Sequence, residues 1–324
     1  MSRLRVLSGG LQTSVQDLGR RGFQALGVPV SGALDPISLR LGNTLVGNPE
    51  GAAALELRMV GPTLRVEEGK VRVALIGTGA PLLVERAGGT REDWVSWRAV
   101  DLDAGDVVSV PATPDTAVAY LVFAGGVDVP DVLGSRSTLL RGGFGGHEGR
   151  ALQEGDELML GEAAIGRALT VLAPPPMLPV GVLRVVPGPQ QDAFTLEALE
   201  DLQSEPFRVS THSDRMGLRL EGPVLRHVKG ADIVSDAIAT GSIQVPGSGQ
   251  PILLLADHQT SGGYAKIATV ISADIPAAGR LLPNSEVRFR VVSVEEAVAA
   301  ARIAEERVAY LRGAVIPVRE GARL

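Results

Sequence analysis

The segment LAPPPMLPVG, at residues 172–181, divides this 324-residue sequence into two parts. Its clustered prolines fit neither a helix interior nor a central strand, because proline lacks the N–H that either structure needs. The length of the chain allows two domains, each with its own core. We therefore predict a linker here, with one domain over residues 1–172 and a second over residues 181–324.

Short stretches on the two sides of this segment match in the same order. The matched pairs are LRVLSG (4–9) with LRVVPG (183–188), GPTLR (61–65) with GPVLR (222–226), and GRALQEGDEL (149–158) with GRLLPNSEV (279–287). Repetition in order indicates repeated architecture. The sequence thus predicts two related domains, with extra loops in the first.

Short β-rich runs bounded by Gly, Pro or Asp, such as VRVALIG (71–77) and AVAYLVFAGG (117–126), are typical of strands. Three helices are predicted. They begin after the Asp35-Pro36 pair, lie near residues 192–203, and run from Ser293 to Arg312 with a Ser293–Glu296 capping box and Gly313 as the stop. The fold class is therefore mainly β, with barrel or sandwich domains and a few helices. No strand–helix alternation of a parallel sheet is visible.

The composition excludes several kinds of function. There is no cysteine, which rules out disulfides, thiol catalysis and thiolate metal sites. A net charge of −6 and 3% aromatic residues do not fit a nucleic-acid-binding surface. The four histidines have no metal-ligand spacing, and there is no phosphate-binding loop or Gly-x-Ser-x-Gly elbow. No apolar run is long enough for a membrane span or signal core, so we expect a cytoplasmic protein without a metal site.

The stretch DHQTSGGYAKIAT, at residues 257–269, follows the apolar run PILLLA and is dense in reactive side chains. Two adjacent glycines allow close approach of the backbone to a ligand. The candidate residues are Asp257, Gln259, Thr260, Ser261, Tyr264 and Lys266. Such groups can orient a small acid or amide and neutralise charge that develops on its oxygen. The alternative is a hairpin turn whose polar groups face water.

Upstream, TGSIQVPGSGQPI (240–252) places Gln244 and Gln250 around a glycine-rich loop. Their amides either bind a carboxylate or lactam or satisfy loop backbone. THSDRMG (211–217) offers His212 and Arg215, for which the pattern favours a surface turn with an Asp214–Arg215 ion pair.

In the first domain, TSVQDLGRRGFQALGVPVSGALDP (13–36) contributes Asp17 and Arg20 beside several glycines. Arginine can clamp phosphate or carboxylate with two hydrogen bonds. Glu56 interrupts an apolar run, and we predict that it points outward from a half-buried strand. LGSRSTLLRGGFGG (133–146) is either a mobile loop over a ligand or partner, or a plain surface loop.

Several long motifs together resemble one known family. They are the 13–36 stretch, LGNTLVGNPEGAAALEL, LGSRST, SDRMGLRLEGP, GSIQVPGSGQPILLLADHQTSGGYAKIATV and SADIP. The sequence is similar over residues 4–290 to the allophanate hydrolase subunit 2 family, also called the Kip antagonist or biotin-dependent carboxyltransferase-like family. The resemblance implies two cyclophilin-like β-barrel domains.

The resemblance also implies a function. Stand-alone bacterial members are generally the C subunit of the ATP-dependent 5-oxoprolinase, which opens 5-oxoproline to glutamate together with a Kip-inhibitor-like subunit and a lactam-utilisation-type subunit. ATP, with Mg²⁺, would then be shared with one of these partners. Fused members carry out carboxyl transfer to urea, although this chain has no biotin attachment site. A regulatory protein that binds a Kip-inhibitor-like partner is the other alternative.

Side-chain chemistry assigns roles within that function. Lys266 and Arg20 would neutralise charge, and Asp257 or Asp17 would accept a proton. Gln244, Gln250 and Gln259 would orient the amide. Thr260, Ser261, Tyr264, His212 and Arg215 complete the predicted substrate-binding set.

Overall fold

The computed structural model describes residues 2–163, 168–173 and 181–318. Most of the predicted linker, residues 174–180, lies outside these ranges. The chain separates into two compact units, the first formed by Met1–Arg20, Asp35–Pro176 and Arg307–Leu324 and the second by Arg21–Leu34 and Met177–Glu306. The domain boundaries at residues 172 and 181 stay a prediction.

The described residues contain 22 strands and four α-helices. The strands are β1 (Ser2–Ser8), β2 (Thr13–Gln16), β3 (Ala54–Arg58), β4 (Thr63–Glu68), β5 (Val71–Ile76), β6 (Leu82–Glu85), β7 (Arg91–Trp94), β8 (Val100–Leu102), β9 (Val107–Ser109), β10 (Val118–Phe123), β11 (Glu157–Leu160), β12 (Thr170–Leu172), β13 (Val182–Pro187), β14 (Phe207–Val209), β15 (Gly217–Glu221), β16 (Asp232–Ala237), β17 (Ser242–Gln244), β18 (Ile252–Leu254), β19 (Ser261–Tyr264), β20 (Lys266–Val270), β21 (Glu286–Val291) and β22 (Val315–Pro317). The helices are α1 (Pro36–Val46), α2 (Leu196–Ser204), α3 (Ile275–Gly279) and α4 (Val294–Gly313).

The first unit is built on two antiparallel sheets and a strand pair. The sheet orders are β11-β1-β4-β9-β6-β7 and β2-β3-β10-β5-β8, and β12 pairs with β22. Alternating apolar side chains from both sheets, such as Leu4, Val6, Leu55 and Leu57, share one buried cluster. These side chains supply the apolar burial that stabilises the unit.

Helix α1 has the predicted start. The Asp35 carboxylate accepts a hydrogen bond from the Ser38 N–H at 3.0 Å, Pro36 is the first helical residue, and Gly47 ends the helix with φ +84°. A proline needs no hydrogen-bond partner there, and a left-handed glycine closes the last turn without strain. The buried face carries Leu39, Leu41 and Leu45 among others.

The second unit contains a closed barrel of seven strands in the order β13-β20-β17-β18-β15-β14-β21. The pairs are antiparallel except β13 with β21, which is parallel. Fully buried side chains such as Leu183, Val185, Leu253 and Phe207 fill the unit's interior. The prediction of a mainly β fold is confirmed.

Helices α2 and α4 also begin at side-chain caps, and the cap of α4 was predicted from the sequence. The Thr195 hydroxyl accepts from the Ala198 N–H at the start of α2. At the start of α4, the Ser293 N–H donates to Glu296 Oε2 at 2.7 Å while the Glu296 N–H donates to Ser293 Oγ at 3.1 Å. This reciprocal pair is the predicted capping box, and α4 includes Gly313 as its last residue.

Strands β16 and β19 pair with each other in a separate two-stranded sheet that we call the arm, residues 232–237 and 261–264. Nearly every residue of β16 is exposed, and Val234 is 92% exposed. The arm therefore stands apart from the barrel core, although β20 follows β19 after one residue.

The prediction for Glu56 was wrong. Glu56 is 1% exposed, and its Oε2 accepts a 2.8 Å hydrogen bond from the Tyr120 hydroxyl, which itself accepts from the Asp35 N–H at 2.8 Å. The first four residues of β3 are all buried, so both faces of the strand are covered. The assumption of one buried and one exposed face therefore does not apply to β3. This polar side chain can be buried because hydrogen bonds replace its contacts with water.

Candidate functional site

Lys266, the first residue of β20, carries a buried ammonium group at the edge of the arm. Its side chain is 3% exposed, and Nζ donates to Asp236 Oδ2 at 2.8 Å. The Asp236 side chain is 49% exposed, and the hydrogen bond from Lys266 lowers the pKa of its carboxyl group. A buried ammonium group requires such compensation, because water no longer solvates it.

Gln190, in the loop after β13, forms hydrogen bonds with both residues of this ion pair. Its Oε1 accepts from the Lys266 backbone N–H at 3.2 Å, and its Nε2 donates to Asp236 Oδ2 at 3.4 Å. One side chain thus contacts both members of the pair. These contacts tie the start of β20 and the Asp236 carboxylate to the same loop.

Gln244 lies directly opposite Lys266 in the β17–β20 register, so both side chains leave the same face of the barrel wall. Gln244 is 2% exposed, and its Oε1 accepts from Gln259 Nε2 at 3.3 Å. Its Nε2 has no hydrogen-bond acceptor within the part of the chain that is described. A buried donor of this kind is rare and costs free energy unless a ligand or water pairs with it.

Gly262 of the arm lies against this amide. A Cβ added at residue 262 would lie 3.0 Å from Gln244 Nε2 and 2.8 Å from Ile238 Cδ1. The absence of a side chain therefore permits the close approach of Gly262 to Gln244, whereas the approach of a ligand to the double glycine stays a prediction.

Together these residues form a donor-rich corner that can bind an oxygen acceptor. Within the described chain, the ammonium group of Lys266 uses one of its three hydrogens, toward Asp236. With the free amide hydrogens of Gln244, it is suited to a carbonyl or carboxylate oxygen. We call Lys266, Gln244, Gln190, Gln259 and Asp236 the donor corner.

Sequence reasoning missed two members of the donor corner. Gln190 stands just after the repeated LRVVPG element, and that repeat was the one available signal. Asp236 lies in an exposed strand without any distinguishing motif. Its role follows only from the pairing of β16 with β19.

Asp257 is held by the guanidinium group of Arg215. Arg215 Nε donates to Oδ2 at 2.9 Å and Nη2 to Oδ1 at 3.1 Å, with both side chains at most 3% exposed. Ser31, at φ +57°, donates its hydroxyl to Oδ1 at 2.7 Å, and Arg215 Nη2 also donates to Gly32 O at 2.6 Å. With both oxygens engaged, Asp257 fits an anchor for residues 31–32 better than a proton acceptor.

The predicted Asp214–Arg215 ion pair is therefore wrong. Asp214 Oδ1 instead accepts from the N–H groups of Met216 and Gly217, closing a local turn. The partner of Arg215 lies 42 residues further along the chain. His212 is exposed in the same turn, so that part of the surface-turn prediction agrees with the structure.

The remaining candidates of the second unit are dispersed. Gln250 binds the backbone of Gly222 with both ends of its amide, at 2.9 and 3.1 Å, which matches the backbone alternative. Thr260 is partly buried, and its carbonyl accepts from the Ile238 N–H. Ser261 and Tyr264 are exposed on β19, at the outer surface of the arm.

Asp17 and Arg20 make their described contacts inside the first unit. Asp17, 8% exposed, accepts from Ser135 Oγ at 2.7 Å, Ser137 Oγ at 2.5 Å, and two backbone N–H groups. Arg20, 1% exposed, donates to the carbonyl of Ser137 and lies over the Phe144 ring at 5.0 Å. These contacts bury Ser135 and Ser137 near the start of the 133–146 segment. This part of the segment is therefore packed against the first unit.

His258 is a buried neutral group beside the candidate segment. Its Nδ1 is 2.6 Å from the Gln259 carbonyl and its Nε2 is 3.0 Å from Thr240 Oγ1. The Nδ1–H tautomer satisfies both contacts, with Thr240 donating to Nε2. Burial lowers the pKa of the imidazole, so it offers no permanent cation.

Two further properties concern the described residues. They bring no three His, Cys, Asp or Glu side chains together as a metal-ion cluster. Among them, no helix combines the length and hydropathy that crossing a bilayer requires.

Comparison with known proteins defines the class. Residues 26–291 match the family model described as carboxyltransferase domain, subdomain A and B, and the chain belongs to this family. It is 35% identical to the 5-oxoprolinase C subunit of Escherichia coli K12, over 92% of this chain and 94% of that protein. The Haemophilus influenzae 5-oxoprolinase C subunit is 36% identical, over 88% and 90% of the respective chains.

A solved structure extends the similarity to a second group. The crystal structure of the Kluyveromyces lactis urea amidolyase matches 98% of this chain with a TM-score of 0.85 and 28% identity. This chain spans 20% of the length of that protein. The fold is therefore shared with a segment of a much longer enzyme.

Proposed function

We propose that this chain is the C subunit of an ATP-dependent 5-oxoprolinase and helps to activate and open 5-oxoproline to L-glutamate. The observation that carries the proposal is the 35–36% identity to two proteins named as the C subunit of 5-oxoprolinase, over about nine-tenths of each chain. Identity over most of both chains, rather than in one segment, supports a shared role.

The chemistry of the donor corner supports the same proposal. A lactam is a flat, stable amide, and phosphorylation of its oxygen makes that oxygen a leaving group. Lys266 neutralises negative charge on the substrate, while Gln244 and Gln259 orient the amide. The buried Nε2 of Gln244 then finds the acceptor that the described chain does not provide.

The proposal includes partner subunits and a nucleotide. A Kip-inhibitor-like subunit and a lactam-utilisation-type subunit assemble with this chain in the cytoplasm. ATP and Mg²⁺ bind largely on a partner, because this sequence has no phosphate-binding loop. This chain alone is then inactive.

Co-expression with the two partner types tests the proposal. The assembled complex should release glutamate from 5-oxoproline only when ATP is present. Omission of any one of the three proteins should abolish turnover. Assembly without ATP-dependent glutamate release would contradict the proposal and favour a regulatory role as a partner-binding protein.

A second candidate function is carboxyl transfer to a urea-like substrate. The structural match to urea amidolyase over 98% of the chain favours it. It requires a separate biotinylated carrier, since this chain has no biotin attachment site. Turnover that depends on such a carrier would establish this alternative and exclude the first.

A further inference from the structure

The arm covers the two groups of the donor corner that have hydrogens to spare, Lys266 Nζ and Gln244 Nε2. Asp236, on β16, pairs with the ammonium group of Lys266, while Gly262, on β19, lies against Nε2 of Gln244. The two covered donors are cross-strand neighbours in the barrel wall. One movement of the arm would therefore uncover both together.

The arm is weakly attached at this point. Strand β16 is exposed along nearly its whole length, and its register with β19 is irregular between Asp232 and Asp236. The hydrogen bond from Gln190 to Asp236 is long, at 3.4 Å. Segments with few buried contacts open at low free-energy cost, which makes the arm a suitable moving part.

We propose that Asp236 is a positioning residue that holds Lys266 until the carboxylate of the ligand takes its place, as the arm moves away. This deepens, and rests on, the proposed function, in which 5-oxoproline supplies that carboxylate. The substrate class of the donor corner is then a small monocarboxylate. Asp236 and the ligand compete for one ammonium group.

Charge explains why the exchange requires an anion. Removing Asp236 from a lysine that is 3% exposed leaves a buried cation, and a neutral carbonyl cannot compensate that charge. A carboxylate can, because it also has a second oxygen for the free N–H of Gln244. With Asp236 in place, by contrast, an approaching carboxylate meets a like charge.

The test measures binding of 5-oxoproline to the full chain by titration calorimetry. Asp236→Asn removes the competitor, so affinity should rise about tenfold, equivalent to a closed arm favoured by about 1.4 kcal/mol. Asp236→Glu keeps the charge and should bind like the unaltered chain. Lys266→Met should abolish binding. Asp232→Asn, on the same strand, is the matched control and should change nothing.

Two simpler probes separate this inference from the proposed function. Acetate has the carboxylate alone and should gain affinity in Asp236→Asn, whereas 2-pyrrolidinone has the lactam alone and should not. If acetate responds and 5-oxoproline binds no variant, the exchange stands and the proposed substrate fails. If no carboxylate binds Asp236→Asn more tightly, the exchange is overturned.

Hydrogen exchange supplies a readout that a purely structural ion pair would not move. Amides of residues 232–237 and 261–264 should exchange faster in Asp236→Asn, and also in the unaltered chain when 5-oxoproline is added. Unchanged or slower exchange on ligand addition would contradict movement of the arm. Equal melting temperatures of Asp236→Asn and Asp232→Asn would show that both variants fold.

Discussion

Gln244 and Lys266 face each other across β17 and β20, and each is 2% exposed. Both are therefore buried polar groups whose donors exceed the acceptors that the described chain offers. Stability alone does not explain such a pair, because apolar residues of similar size would pack there at lower cost. Binding sites commonly retain groups of this kind at the expense of stability.

This relationship predicts that Gln244→Met stabilises the chain. The change removes a buried unpaired donor and loses only one long hydrogen bond, from Gln259 at 3.3 Å. We expect a gain of about 1 kcal/mol, which raises the melting temperature by about 2–4 °C. Scanning calorimetry measures the shift, and binding of 5-oxoproline should be lost.

Gln250→Met is the matched control. Gln250 uses both ends of its amide on the Gly222 backbone, so the same substitution should lower the melting temperature by a similar amount. A fall at both positions would show that the amide of Gln244 is satisfied after all.

The buried Arg215–Asp257 pair predicts a large loss on truncation. Arg215→Met leaves the Asp257 carboxylate buried without its cation, and removing one partner of such a pair costs about 3–5 kcal/mol. Chemical denaturation measures this cost. Trypsin should also cut more readily after Arg21, because Arg215 Nη2 no longer holds Gly32 O.

Arg208→Met is the control for that variant. Arg208 pairs with Glu221 at 3.2 Å, but its side chain is 63% exposed, so the loss should be at most about 1 kcal/mol. Similar losses at the two positions would contradict the assigned difference between buried and exposed pairs.

The helix starts and the β-rich class were predictable because their signals are local. Asp35 caps a helix within three residues, and Ser293 and Glu296 satisfy each other within one turn. The choice of Lys266 as a candidate also rested on a local signal, since its segment is dense in polar groups, and its role stays a prediction.

The pairings that give the candidate site its chemistry were not predictable, because they join distant residues. Arg215 finds Asp257 rather than its neighbour Asp214, and Asp236 reaches Lys266 only because β16 folds back on β19. Glu56 was misjudged for the same reason, since its partner Tyr120 lies 64 residues away. A sequence pattern reports the exposure of a strand but not its tertiary partners.

Tyr120 predicts a loss of stability that grows at alkaline pH. Burial and the negative charge of Glu56 raise the pKa of the phenol well above its ordinary value. A phenol whose pKa is raised by folding contributes its full stabilisation at pH values below the pKa of the unfolded chain's tyrosine, near 10. This contribution is lost as the pH rises from that value toward the pKa in the folded chain. Tyr120→Phe should cost about 2 kcal/mol near neutral pH, because two hydrogen bonds disappear.

Absorbance adds a direct measurement for Tyr120. We expect the unaltered chain and Tyr120→Phe to show the same phenolate absorbance as the pH is raised, until the chain unfolds in alkali. Tyr310→Phe, at a position 71% exposed, is the matched control and should leave stability unchanged. A phenolate signal from Tyr120 in the folded chain would contradict its assigned burial.

His258 predicts that the second unit loses stability as the pH falls. Its pKa is lowered, chiefly by burial, so the unfolded chain binds a proton that the folded chain resists. The free energy of unfolding is therefore greatest above the pKa of the unfolded chain's imidazole, near 6.5, and it decreases as the pH falls below that value.

The free energy of unfolding, measured by denaturant titration from about pH 7.5 to about pH 5.5, should decrease more steeply in the unaltered chain than in His258→Gln. His212→Gln, in an exposed turn, is the control and should keep the original steepness. Equal slopes in all three proteins would mean that the imidazole protonates as easily in the fold as in water, which its burial opposes.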